Sequence, residues 1–447
     1  MSTDIRSTID ESPMSTLQTI AVIACIVLNM LDGFDVLAMA FTAARLAQEW
    51  QLNGKELGLL LSAGLIGMGA GSILIAPLGD RFGRRKLILL CLCIIGSGML
   101  LSAVTQDATQ LAIARLYTGL GIGGMVASIT VIAGEYASKK WRSTSIVMQH
   151  TGYAVGAAIG GVISAYLLSV LGWRSVFAFG GIATLLAIPM AYAALPESID
   201  FLLTTRPADA LARVNQTLAR MKRAPISALP AATTNTIAAN ALEGWPALLK
   251  RPLLPRTLAL WSAFFFVIGS YYFVASWTPK LLVEAGLSAA QGITGGVLLN
   301  LGGIAGSALF GLLATRLGLR PLLVVTLLGA AVLMVGFGAS IASLKIGMAI
   351  AVLLGATLTA SVAGLYALSL TVYPSQIRTT GIGFAAGIGR VGGMLSPIAV
   401  GVLLDTGWTV PNLYFLFLLP MAGAAIAVVT SPIRLPVPRD QRGPMVS

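Results

Sequence analysis

"APLGDRFGRRK", residues 76–86, lies between two apolar stretches and has a counterpart much later in the chain. "GLLATRLGLR" at 311–320 aligns on residues 76–85 without gaps, at an offset of 235. A second pair, "EYASKKWRST" at 135–144 and "VYPSQIRTTG" at 372–381, keeps nearly the same spacing, with Arg142 answering Arg378 at 236. One such match is ordinary chance; two at one offset point to duplication. Each pair follows the second and fourth apolar stretches of its half. The repeated unit therefore has six stretches, and both copies run in the same direction.

Those stretches are long enough to cross a bilayer. The chain has 447 residues, 56% hydrophobic and 10% charged, with mean hydropathy +0.87, against about 25% charged residues in a soluble domain. Runs of roughly 20 apolar residues, the length needed to span the hydrocarbon core, fall at 17–43, 56–78, 87–105, 110–134, 144–170, 175–195, 257–279, 290–314, 321–340, 346–372, 379–404 and 411–432. The expected fold is an all-α membrane protein with twelve transmembrane helices in two pseudo-twofold-related halves. Its divisions are a tail 1–16, a half 17–195, a linker 196–256, a half 257–432 and a tail 433–447. Within the linker, "RPADALARVNQTLARMKR" suits a short surface helix.

Charge sets the orientation. Of 29 Lys and Arg, 22 fall in segments that share a side with the termini, five in the opposite loops and two inside spans. The positive-inside rule puts both termini in the cytoplasm. Although the net charge is +12, the basic residues sit in short clusters between apolar runs, which excludes a nucleic-acid surface. Cys25, Cys91 and Cys93 lie in apolar runs with no metal-ligand spacing, so no metal or cofactor is expected. The N-terminal segment is acidic and reads as a retained tail, not a cleaved signal.

Few ionisable residues interrupt the spans: Asp32 and Asp35 in span 1, Arg115 in span 4, His150 in span 5 and Arg390 in span 11. Each costs about 2.5–3.5 kcal/mol or more at the bilayer centre, so each is a functional candidate. Spans 3, 6, 9 and 12 carry none. Those are the peripheral helices of a two-fold transporter fold, and the others line its cavity.

Asp32 and Asp35 share a helix face at i, i+3. A desolvated carboxyl beside another binds a proton near neutral pH. Either is a candidate coupling group, and Asp35 a substrate contact as well; a purely structural hydrogen bond is the alternative. Arg390 cannot discard its charge, and its fork fits a carboxylate in two parallel bonds. It is the candidate anion site, with a permanent salt bridge to span 1 as the alternative. Arg115, nearer the outer end of span 4, suits an anion partner or, equally, a structural bond to backbone carbonyls. His150 suits either a proton relay or packing. Tyr271 and Tyr272 in the aromatic span 7 and Asn300 in span 8 are candidate substrate contacts.

The loop after span 2 carries Asp80, Arg81, Gly83, Arg84, Arg85 and Lys86. An acid among arginines at a helix end can pair with basic groups and cap a neighbouring helix, forming a latch that breaks during transport. Arg142 and Arg378 belong to the same gating set, while Thr315 replaces the acid in the second copy and weakens that half of the latch.

"GDRFGRRK", "RLYTGLGIGG" and "LPES" (195–198) resemble the major facilitator superfamily over nearly the whole chain. "DGFD" in span 1 with "GIGRVGG" in span 11 is similar to its aromatic acid:proton symporter branch. The resemblance implies that Asp32 and Asp35 are needed for transport and that Asp80, Arg378 and Arg390 belong to functional motifs. The expected function is proton-coupled import of a benzoate- or hydroxybenzoate-like acid across a bacterial inner membrane, by a monomer embedded in lipid. A carrier of another organic anion, or a drug antiporter, is the alternative. No catalytic constellation is visible, so an enzyme is not expected.

Overall fold

The structure is a computed structural model that describes residues 9–229, 248–250, 253–340, 343–373 and 378–430; the side chains at 143, 315, 344 and 378–380 lie outside that description. Twelve helices are long and apolar enough to cross a membrane. They are α1 Thr16–Glu49, α2 Gly54–Leu74, α3 Arg84–Val104, α4 Ala108–Tyr136, α5 Arg142–Val170 and α6 Trp173–Ala194. The second six are α7 Leu254–Glu284, α8 Ala289–Leu317, α9 Leu319–Ser340, α10 Leu344–Val372, α11 Arg378–Asp405 and α12 Val410–Thr430. Several extend past their apolar runs because polar partners satisfy the ends. Ser15 and Gln18 form a capping box at α1, as do Asn53 and Glu56 at α2. At the other end of α1, Glu49 pairs with Arg174 at 2.8 Å and accepts a hydrogen bond from the Trp173 indole at 2.7 Å.

Packing reproduces the duplication. In the first half α1 lies on α5 and α2 on α4; adding six to each number gives α7 on α11 and α8 on α10 in the second. Between the halves α2 meets α11, α5 meets α8, and α1 meets α7. Glycine makes the intimate pairs possible. A Cβ on Gly67, Gly71 or Gly119 would strike the backbone carbonyl of Leu116, Leu120 or Gly64 across the α2–α4 contact. Gly302, Gly306 and Gly355 stand in the same relation to Val352, Ala356 and Leu299 across α8–α10. Small residues at such spacings let helix backbones touch.

The outer helices carry the lipid-facing surface. Leu101 on α3, Leu186 on α6, Val332 on α9 and Ile426 on α12 are each more than half exposed. A continuous apolar exterior of this kind is stable only against hydrocarbon.

The part of the connection between the halves closest to α6 is not a free tether. A helix at Ala210–Arg220, within the stretch expected to form one, buries Ala210, Val214, Thr217 and Leu218 on one stripe. It joins Ile9, Leu17, Tyr136, Leu195 and Ile199 in a cluster under the first half. Asp10 accepts a hydrogen bond from the Arg142 guanidinium, and its carbonyl accepts one from the Lys139 amide at 3.1 Å. Residues 9–15 and the beginning of the connection thus pack with the first six helices.

The halves close on the side away from the termini. Gly54 backs onto Gly401 and Gly58 onto Pro397, while Ser62 Oγ donates to the Met394 carbonyl at 2.8 Å. The Asp405 carboxylate accepts from the Gly54 and Lys55 amides at 2.6 and 2.8 Å. Toward the termini, these interface helices expose Ile73, Leu74, Val147, Met148, Leu309, Leu312 and Phe384. Gly311 on α8 and Gly383 and Gly387 on α11 have nothing within 4 Å of where a Cβ would stand, in contrast to the tight glycine contacts on the far side, so the space between the halves opens on the terminal side.

Candidate functional site

Asp32 lies 16 residues into α1, about 24 Å along a helix about 51 Å long. Arg390 is 12 residues into α11, about 18 Å along it. Both sit at mid-height. Residues three apart on a helix point about 60° apart, and here that angle separates the two aspartates. Asp35 turns into the first half, where Arg115 on α4 donates to its Oδ1 at 2.9 Å and to its backbone carbonyl at 3.4 Å. The pair is buried, with side-chain exposures of 3% for Arg115 and 1% for Asp35. The guanidinium also lies 5.5 Å from the Phe177 ring centroid and contacts Met99 Sδ at 2.9 Å. Arg115 thus makes a bond to a backbone carbonyl, one of its two expected roles, and also neutralises a carboxylate. A buried ion pair of this kind cannot lose one partner cheaply.

Asp32 has no such partner. It is 3% exposed, and its Oδ1 accepts no hydrogen bond among the described residues. Arg390 is the cation within electrostatic range of it, without closing an ion pair. The Arg390 side chain is exposed to the passage and donates from Nη1 to Ser72 Oγ on α2 at 2.7 Å. A guanidinium has five N–H donors, so this bond leaves its fork available for an anion.

Tyrosines surround the pair. Tyr272 on α7 lies in range of Arg390, Asp32, Tyr271 and Tyr366. The Tyr271 and Tyr272 rings meet edge to face at 5.4 Å, and Tyr366 on α10 meets Phe264 the same way at 5.1 Å. A Cβ on Gly393, one turn from Arg390, would meet the Tyr272 ring at 2.6 Å, which explains a glycine in "GRVGG". Tyr153 on α5 is in range of Tyr271, Tyr272, Asp32 and Asp35. Tyr153, Tyr366 and Ser72 were not legible as site residues in the sequence. The single signal for Tyr153 is its place inside the glycine-rich "GYAVGAAIGG", where Gly33 of α1 lies against its carbonyl.

Asn300 and His150 are the remaining candidates. Asn300 is buried and donates to the Gly296 carbonyl one turn back in α8, at 2.8 Å. Together with Tyr271 it lines a cavity of about 20 Å³ inside the second half. His150 is exposed on the terminal third of α5. No grouping of His, Cys, Asp and Glu suited to a metal occurs among the described residues.

The loop motif and "LPES" meet on the terminal face of the first half. Gly83 takes φ +103°, and a Cβ there would lie 2.5 Å from Glu197 Oε2. Glu197 accepts from the Arg85 amide at 3.1 Å. The Arg84 guanidinium bonds Glu135, and it donates to Ser198 Oγ and Asp80 at 3.2 Å. Arg85 stacks 4.4 Å from the Tyr192 ring centroid, and Arg81 lies 5.3 Å from that of Phe82. Arg142 bonds Asp10 and the Gly134 carbonyl, the latter at 3.1 Å. Asp80, 77% exposed, pairs with Arg84 four residues away. These contacts all stay within the first half, as an open terminal side requires. The side chains of Arg378 and Thr315 fall outside the described residues.

Known proteins share this sequence and architecture. The Major Facilitator Superfamily family model matches residues 22–345. The 4-hydroxybenzoate transporter PcaK of Acinetobacter baylyi is 29% identical over 96% of this chain and 94% of its own. A gallate transporter of Pseudomonas putida is 30% identical over 96% of this chain and 95% of its own. Among solved structures, the inward open conformation of the xylose transporter XylE from E. coli matches with TM-score 0.72 at 17% identity, covering 92% of this chain and 95% of that one. At that identity the likeness is one of fold.

Proposed function

Since this chain belongs to the major facilitator superfamily, we propose that it is a proton-coupled symporter that imports an aromatic carboxylate of the benzoate or hydroxybenzoate class by alternating access. The observation that carries the reading is a mid-membrane Arg390 with an open fork, facing an unpaired Asp32 across the seam between the halves. The tyrosines around them offer ring faces and hydroxyls suited to a hydroxylated aromatic ring. The names of the relatives, transporters of 4-hydroxybenzoate and of gallate, point to the same substrate class.

In this reading Arg390 holds the carboxylate in two charge-assisted hydrogen bonds, and Asp32 carries the coupling proton. A bound anion cancels the positive charge facing Asp32, so anion and proton are taken up together. Asp35 is held by Arg115 and shapes the site from behind. Asn300 and His150 keep supporting roles, one packing the second half and the other lining the exit. The excess of basic residues in the loops on the terminal side supports termini on the cytoplasmic side of a bacterial inner membrane, and in this reading the conformation described opens inward. Asp80, Arg81, Gly83, Arg84 and Arg85 with Arg142 and Arg378 form the inner gate, which reassembles across the halves when the passage opens outward. The working unit is a lipid-embedded monomer without a cofactor.

The test is uptake of labelled benzoate and 4-hydroxybenzoate into proteoliposomes with and without an inward proton gradient. Accumulation that follows the gradient supports the reading. Uptake no greater than in empty vesicles for either acid rejects it.

A further inference from the structure

Tyr153 stands out among the polar groups of the passage. Its backbone is pinned: a Cβ on Gly33 would strike its carbonyl, and the flanking Gly152 and Gly156 lie against Ile26 and Met30 of α1. Its ring therefore has a fixed origin in one of the closest helix pairs in the molecule. Its hydroxyl is shielded from solvent and makes no hydrogen bond among the described residues. Of the four tyrosines around Arg390 and Asp32, this is the one whose hydroxyl is both buried and unbonded.

A buried hydroxyl without a partner is costly. Phenylalanine would fill the same space without that cost, so packing alone does not explain the oxygen. The group is within electrostatic range of Asp32 and Asp35 on α1 and of Tyr271 and Tyr272 on α7. Asp32 Oδ1 and Asp35 Oδ2 are the other buried atoms here without a hydrogen bond among the described residues, and Arg115 holds the carboxylate of Asp35. A phenol hydroxyl both donates and accepts. A substrate hydroxyl entering here finds a donor in Tyr153 and an acceptor in Asp32, while the carboxylate at its other end stays on Arg390.

Building on the transport reading above, we propose that the Tyr153 hydroxyl is a specificity determinant that reads a ring hydroxyl of the substrate and makes the carrier prefer hydroxylated aromatic acids over unsubstituted ones. A site built to bond a hydroxyl discriminates strongly against the analogue lacking it, because its own polar groups are then left unpaired.

The experiment compares reconstituted wild type with Tyr153→Phe for uptake of 4-hydroxybenzoate and of benzoate, with 3-hydroxybenzoate as competitor to locate the ring position that is read. The expected result is a ratio of KM for the hydroxylated acid to KM for benzoate raised roughly tenfold over that of the wild type. Equal effects on both acids, whether none or a common loss, overturn the proposal. Should the Phe variant not assemble, Tyr153→Met removes the same oxygen and is judged by the same ratio. A wild type that carries neither acid defeats the transport reading itself, before any substitution is made.

Discussion

Asp32 and Asp35 differ by three positions and one hydrogen-bond partner, and their substitutions should fail differently. Asp32→Asn removes a carboxyl that closes no ion pair among the described residues. We expect loss of gradient-driven accumulation with retained exchange of labelled for unlabelled acid, measured in the same vesicles. Asp35→Asn leaves Arg115 buried without its anion, which costs about 3–5 kcal/mol. It should appear first as a lowered melting temperature and a poor yield of folded protein. Wild-type stability in Asp35→Asn would show that the pair does not hold the first half together. At Arg390 a lysine keeps the charge and loses the fork. Arg390→Lys is expected to weaken binding of the acid by about ten- to a hundredfold and to leave binding of the neutral amide unchanged. Equal loss for both ligands would assign Arg390 a structural task.

The amino end of α2 is capped by the opposite half. Its first amides donate to Asp405 at the end of α11, so an acid at a helix N-terminus supports the helix and joins the halves. Opening the passage on that side must break both bonds. Asp405→Ala therefore biases the molecule toward the state open away from the termini, by about 1–2 kcal/mol for a lost cap. The readout is the labelling rate of a cysteine replacing Ile398, which lies against Gly58 at this contact, in a background lacking the exposed Cys93. A rate unchanged from the Asp405 protein would mean that the contact holds no conformational preference.

Two kinds of glycine contact serve the whole molecule. Gly67 packs α2 on α4 inside one half, whereas Gly58 packs α2 on α11 of the other. If the halves move as rigid bodies, the first contact persists through the cycle and the second must open. Gly67→Val should lower thermal stability in every state. Gly58→Val should leave a folded protein that cannot close on the far side, seen as a longer spin-label distance between α2 and α11. A Gly67→Val protein of normal stability, or a Gly58→Val protein with the wild-type distance, would contradict this division.

Periodicity along the chain carried the duplication, the number of spans and the short inventory of ionisable residues within them. All of these are local: an apolar run of fixed length, a repeat at a fixed offset, a charge where hydrocarbon belongs. The glycines of "GRVGG" announced close packing in the same way. What the chain could not reveal is which distant group each buried residue meets. Asp32 and Asp35 look alike in one dimension, and Arg115, 80 residues from Asp35, singles one out only when α4 is laid beside α1. Tyr153 and Tyr366 come near Asp32 and Tyr272 because α5 and α10 are brought up to α1, α7 and α11. The reason is geometric. A rotation of about 60° between positions three apart on a helix decides whether a side chain enters a half or the seam between halves, and only the assembled bundle defines where that seam is.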